Sequence, residues 1–159
     1  MEKDYKTDFN VLLEDLRQNL LSAQVSLDIW KALFTSPEVV NILNRYKGFF
    51  TPTRFAHRDL LFIKLFNVMD SDTRAPSLNR ILKMVELHPD LGQGIDILAL
   101  RNRLKKHRDV LVRIGKFRKT RAAHWDTNVS EPFKEIHLGE IISLLKELED
   151  IFNEIHRAH

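Results

Sequence analysis

From Val11 to Phe34 the apolar residues Val11, Leu12, Leu16, Leu20, Ala23, Leu27, Trp30 and Phe34 keep helical spacing, and neither proline nor glycine interrupts them. That period predicts one long amphipathic helix, because residues three and four apart share a helix face whereas a strand requires alternation by two. Such a helix constrains the whole architecture. Its apolar stripe must be covered by elements long enough to lie along it.

The rest of the chain repeats the pattern with clear punctuation. Ser36-Pro37 ends the first run, and a short helix is predicted over Glu38 to Arg45, ending near Gly48. Thr51-Pro52 reads as the start of a third helix carrying Phe55, Leu60, Ile63, Phe66 and Met69, stopped by Ser71-Asp72. Pro76-Ser77 opens a helix with Leu78, Ile81, Leu82 and Val85 on one side, closed by Pro89 and followed by a loop with Gly92 and Gly94. Asp96 starts a helix through Leu100, Leu104 and Leu111, with Gly115 a point of kinking at about 1 kcal/mol relative to alanine. Thr127 to Pro132 is a loop, and Phe133 to Leu138 is the one candidate for an extended stretch. The last helix runs from about Gly139 to Arg157, with Ile141, Ile142, Leu145, Leu148, Ile151, Phe152 and Ile155 as its core or partner face. Trp30, Phe34, Phe62 and Phe66 lie at core spacing. With no internal repeat and no sign of a parallel sheet, the expected fold is an all-α up-and-down bundle of five to six helices, a single domain over residues 1–159.

The charge is distributed unevenly. Between Arg101 and Arg121 stand ten Lys and Arg residues against Asp109 alone, a local charge of +9 in a chain whose total is +3, so the remainder carries −6. Clustered cations of one sign form an electrostatic footprint for a polyanion, since they release condensed counterions from phosphate on binding. The alternative for any charge run is a solvated helix face. The chain has no cysteine, which removes disulfides, thiolate nucleophiles and cysteine-held zinc and points to the cytoplasm. Neither a signal peptide nor a run of about 18 apolar residues is present, so no membrane association is expected. No His-Glu-x-x-His, clustered carboxylate pair with an intervening histidine or glycine-rich phosphate loop occurs, and His137, His156 and His159 are scattered, so neither metal nor cofactor is expected.

The segment Phe117-Arg118-Lys119-Thr120-Arg121-Ala122-Ala123-His124-Trp125-Asp126 sets an arginine and a histidine six positions apart in this basic region. Arginine is a permanent forked donor suited to phosphate, and histidine passes protons near neutral pH, so together they can cleave or grip a phosphodiester. On an ideal helix Ile114, Phe117, Arg121 and His124 follow one stripe, whereas Arg118 lies roughly 120° around the axis and about 9 Å along it from His124. The pair therefore needs a distorted helix end, long side-chain reach or a second copy of the motif across a dimer. Arg101 to His107 repeats the Arg-x5-His spacing as a rival. Arg54-Phe55-Ala56-His57-Arg58-Asp59 imitates only the Ala-His-x-Asp ending, and His57 reads as a surface or helix-side residue.

The stretch from Arg118 to Asp126, with its Arg-x5-His spacing and Ala-His-x-Asp ending, resembles the signature of the HEPN superfamily of α-helical proteins, in the branch of AbiU-type phage abortive-infection proteins. The long first helix, the helix ending at Asp70, the Ser77-Leu78 helix start and the amphipathic helix after the motif agree with that branch. The resemblance implies a homodimeric, metal-independent endoribonuclease, acting as a toxin or abortive-infection effector with an antitoxin protein as a possible partner. Cleavage there proceeds by attack of the adjacent 2′-hydroxyl. It further implies His124 as general acid and base and Arg118 as the group stabilising the phosphorane. Asp126 would orient His124 or hold its protonated form, with Arg121 in support, and Arg113, Lys116 and Lys119 would carry the RNA backbone. Trp125 either stacks on a base or plugs the dimer interface. Lys119 stands where active members carry a residue such as Asn, Asp or His, and Asp126 stands where members modified by a nucleotidyltransferase carry tyrosine. The alternative implied is a catalytically silent RNA-binding or protein-interaction module.

Overall fold

The computed structural model describes residues 4–33, 36–72, 74–123 and 136–159, with the backbone alone given for 119–123. Seven α-helices and one short 3-10 turn occur among the described residues, with no strand. They are α1 (Tyr5–Ala32), α2 (Pro37–Arg45), α3 (Lys47–Val68), α4 (Leu78–Leu87), the 3-10 turn Pro89–Leu91, α5 (Ile97–Lys105), α6 (Arg108–Ala123) and α7 (Leu138–Ala158). The all-α class holds, and the helix count exceeds the expected five to six because the basic region folds as two helices.

Local chemistry accounts for the starts. Asp4, Ser36, Ser77 and Asp96 each stand before a helix and accept a hydrogen bond from a backbone N–H of its first turn, which satisfies donors that have no intrahelical partner. Two boundaries differ from the sequence reading. Helix α3 begins at Lys47 and carries Pro52 inside it. The proline withholds the N–H that Gly48 C=O would have accepted, while the Thr53 hydroxyl donates to Phe49 O at 2.8 Å one turn back. The helix starting after Asp96 does not run through Gly115 as one piece. It closes with i→i−3 bonds from Lys106 N–H to Arg103 O and from His107 N–H to Leu104 O, and α6 then passes Gly115 without a break.

The core is built on α1. Helix α3 lies along it, α4 and α7 pack on other parts of it, and α6 packs on α3. Phe9, Leu16 and Ala23 from α1, Leu61 and Leu65 from α3, Ile81 and Leu82 from α4, Ile114 and Phe117 from α6, and Leu144, Leu148 and Ile151 from α7 are all buried. Val11 and Ile142, placed on apolar stripes by spacing, are instead exposed at 56% and 40%. Trp30 is partly buried against the core and meets Phe62 edge-on at 6.4 Å. Phe34 lies outside the described residues, as do residues 133–135 of the expected extended stretch; Leu138, its last residue, starts α7.

Helix α7 is tied to the basic region at its first turn. Glu140 accepts from the His137 N–H at 3.0 Å and pairs with the Arg113 guanidinium of α6. Arg113 chiefly, and the His137 N–H after it, hold the Glu140 carboxyl below its ordinary value of 4.5. A carboxylate with a depressed folded-state value stabilises the fold above its unfolded-state value and stops doing so as pH falls through the folded one. Glu140→Gln is therefore expected to lower the melting temperature at neutral pH. It should also flatten the loss of stability between about pH 5 and 3, as followed by circular-dichroism melts.

Candidate functional site

The site is best built from the contact of α6 with α3. Gly115 faces the Phe66 ring across this contact: a Cβ at this position would meet the ring at 3.4 Å, the near edge of ordinary van der Waals contact. Two residues on, Phe117 is buried and meets Phe62 edge-to-face, with centroids 5.0 Å apart. The Arg58 guanidinium stands over the Phe117 ring at 5.8 Å and over Phe55 at 4.9 Å, and donates to Asp59. Its side chain is only 13% exposed, so this cation is held between two rings with a carboxylate beside it.

Arg118 follows Phe117 and so leaves the helix about 100° further round. Its guanidinium carbon lies 4.3 Å from the Phe66 centroid, and Nη1 is 3.9 Å from Asp70 Oδ2 at the end of α3. That distance is an ion-pair contact and too long for a hydrogen bond. The ring backs the guanidinium from one side, and the side chain stays 42% exposed. Arg118 is thus oriented while keeping donors available for a phosphate.

The other arginines of the basic segment are differently placed. Arg101 makes a two-pronged pair with Glu86 of α4, Arg103 bridges Glu147 and Glu154 of α7, and Arg113 is engaged by Glu140 and by Asp109 O. Arg113, expected to carry RNA backbone, therefore has a structural partner that competes with that use. Lys105, Lys106, Arg108 and Lys116 are exposed. The rival motif does not converge: Arg101 faces α4, whereas His107 Nε2 lies 4.0 Å from Glu147 on α7, with the α5–α6 break between them.

His124, Trp125 and Asp126 lie outside the described residues, and Lys119 and Arg121 fall where the α6 backbone alone is described. Of the two readings of His57, surface or helix-side, the second holds, since it lies on α3. It is half-buried, and its Nδ1 is shut from solvent with no hydrogen-bond partner. Phe66, Asp70 and Arg58 were not singled out from the sequence as site residues. The one signal for Asp70 was its place at the end of a helix, and for Arg58 its place in the string imitating the motif. Among the described residues no group of three His, Asp or Glu side chains is arranged to hold a metal ion, and no helix is long and apolar enough to cross a membrane.

A family model described as AbiU2, of the HEPN type, matches residues 6–159, nearly the whole chain. No curated protein and no solved structure matches it.

Proposed function

The chain belongs to the AbiU2 family of HEPN proteins, and on that premise we propose that it is a metal-independent endoribonuclease, working as a homodimer in abortive infection or as a toxin. The observation that carries the reading is the state of Arg118. Its guanidinium is fixed against Phe66 and half-exposed, while Arg101, Arg103 and Arg113 are closed into carboxylate pairs.

In the proposed reaction Arg118 binds the two non-bridging oxygens of the scissile phosphate and stabilises the charge that grows on them in the phosphorane. One His124 accepts the proton of the 2′-hydroxyl as that oxygen attacks phosphorus. A protonated His124, from the same or the partner copy, donates to the departing 5′-oxygen. The products are a 2′,3′-cyclic phosphate and a 5′-hydroxyl, with no water, metal or redox change consumed. Asp126 orients the imidazole, Arg121, Lys116 and Lys119 hold the flanking backbone, and Trp125 stacks on a base or fills the interface. An effector of this kind needs restraint, and an antitoxin protein is the partner class that supplies it.

A second reading is a silent RNA-binding module in the same family, favoured by Lys119 after Arg118. The deciding experiment is incubation of the purified protein with a mixed single-stranded RNA in excess EDTA, with product ends mapped. Cleavage that leaves cyclic-phosphate ends is the expected result. RNA retained in a salt-dependent manner but left intact would favour the binding module, and neither cleavage nor binding would overturn both.

A further inference from the structure

Close to Arg118 the surface opens into a groove of about 780 Å³ between α3, α5 and α6. Its floor is apolar: Met69 just past the end of α3, Leu104 from α5, and Leu111 and Val112 from α6, with Phe66 and Gly115 completing it. Val112 is 49% exposed there although it is a branched aliphatic. The rim has the opposite character, with Arg101, Lys105, Arg108 and Lys116 lining the same hollow. Arg101, held by Glu86, also lines a second hollow of about 620 Å³, which shares Ser71 and Asn79 with the first. Among the described residues no Asp or Glu lines the first hollow. Asp72 and Glu86 line the second.

An apolar floor under a cationic rim selects an occupant that is apolar in one part and anionic in another. A second copy of this chain fits poorly, because an isologous contact centred here would bring Lys105, Arg108 and Lys116 against their own counterparts. Duplex nucleic acid satisfies the rim but keeps its bases stacked inside, away from the floor. A single-stranded polynucleotide satisfies both, since phosphates can lie along the cations while unstacked bases cover the aliphatic surface. We infer that this groove is the track on which single-stranded RNA is held beside Arg118. Leu111, Val112 and Met69 receive bases, and Lys105, Arg108 and Lys116 receive phosphates. The inference rests on the RNA-directed reading of the protein and adds to it where the strand lies and which form of RNA is taken.

The test uses the full chain and a fluorescently labelled 12-nucleotide RNA, free or annealed to its complement, read by anisotropy at fixed salt. Lys105→Glu with Arg108→Glu is compared with Arg45→Glu and Lys47→Glu, an equal charge change at exposed positions on α2 and α3. The groove pair is expected to weaken single-strand binding by about tenfold or more, and the control pair by no more than about threefold. Val112→Glu, at an exposed position, is expected to remove the preference for single strand over duplex. Circular dichroism confirms that each variant is folded. Equal losses in the two charge pairs would mean diffuse attraction and would overturn the inference. So would a Val112→Glu protein that changes oligomeric mass by light scattering but binds RNA as before, since the groove would then be an interface between copies. Wild-type protein that binds no RNA at all refutes the functional reading itself. Tight binding indifferent to the groove refutes only the track.

Discussion

Arg118→Ala is expected to lower the rate of RNA cleavage by about a hundred- to a thousand-fold while leaving the fold in place, because removal of one donor aimed at developing charge costs on that order. The separation of the two effects follows from the contacts. Truncation removes a guanidinium from over Phe66 and a carboxylate contact at 3.9 Å, which at a half-exposed site are together worth about 1 kcal/mol. Arg118→Lys keeps the charge but loses the planar fork, so it should recover only part of the rate. His124→Ala should fall at least as far as Arg118→Ala if proton transfer and phosphate stabilisation act in one step. Single-turnover cleavage rates, set beside melting temperatures, check this. An Arg118→Ala protein that cleaves at the wild-type rate would remove Arg118 from the mechanism.

The neighbouring residue is expected to behave in the reverse manner. Phe117→Ala should destabilise the protein by about 3–5 kcal/mol, as large-to-small changes of buried aromatics do. Phe117 is 1% exposed, and its ring is met by Phe62 from one direction and overlain by Arg58. Its loss leaves both a cavity and a nearly buried guanidinium without one of the rings it stands over. Phe117→Leu should recover much of the volume but not the edge-to-face contact, and so fall between the two. Urea denaturation gives the values. A Phe117→Ala protein within about 1 kcal/mol of wild type would show that α6 is not held by this contact.

How far the fold was legible depended on whether local signals and tertiary demands agreed. For α1 they agreed: spacing placed Leu16, Leu20, Ala23 and Leu27 inside, and all four are buried. Val11 obeys a similar spacing yet lies at the edge of the stripe, where period alone cannot tell inside from outside. For the basic region they disagreed. No proline or glycine stands between Leu104 and Leu111, so one helix was expected, but Arg103 and His107 face Glu147 on α7 while Val110, Ile114 and Phe117 must enter the core. Two helices satisfy both demands. Gly115 was legible as an exception and misassigned as a kink, since α6 passes it unbroken where it faces the Phe66 ring of α3. The site was legible in the same proportion. Arg118 stood out through its spacing to His124, whereas the helix-end place of Asp70 and the core spacing of Phe66 do not tie either to Arg118 until α3 and α6 are packed together.

The pairing of Arg101, Arg103 and Arg113 with acids of α4 and α7 also bears on how a ligand arrives. Those acids cancel the basic segment on the sides turned toward the bundle, while Lys105, Lys106 and Arg108 are exposed. Positive potential then extends from this part of the surface, over roughly the 8 Å that physiological salt allows. A diffusing polyanion would be turned to face that surface before any atom touches, so encounters should be productive more often than chance orientation gives, and the association rate constant should rise as the salt concentration falls.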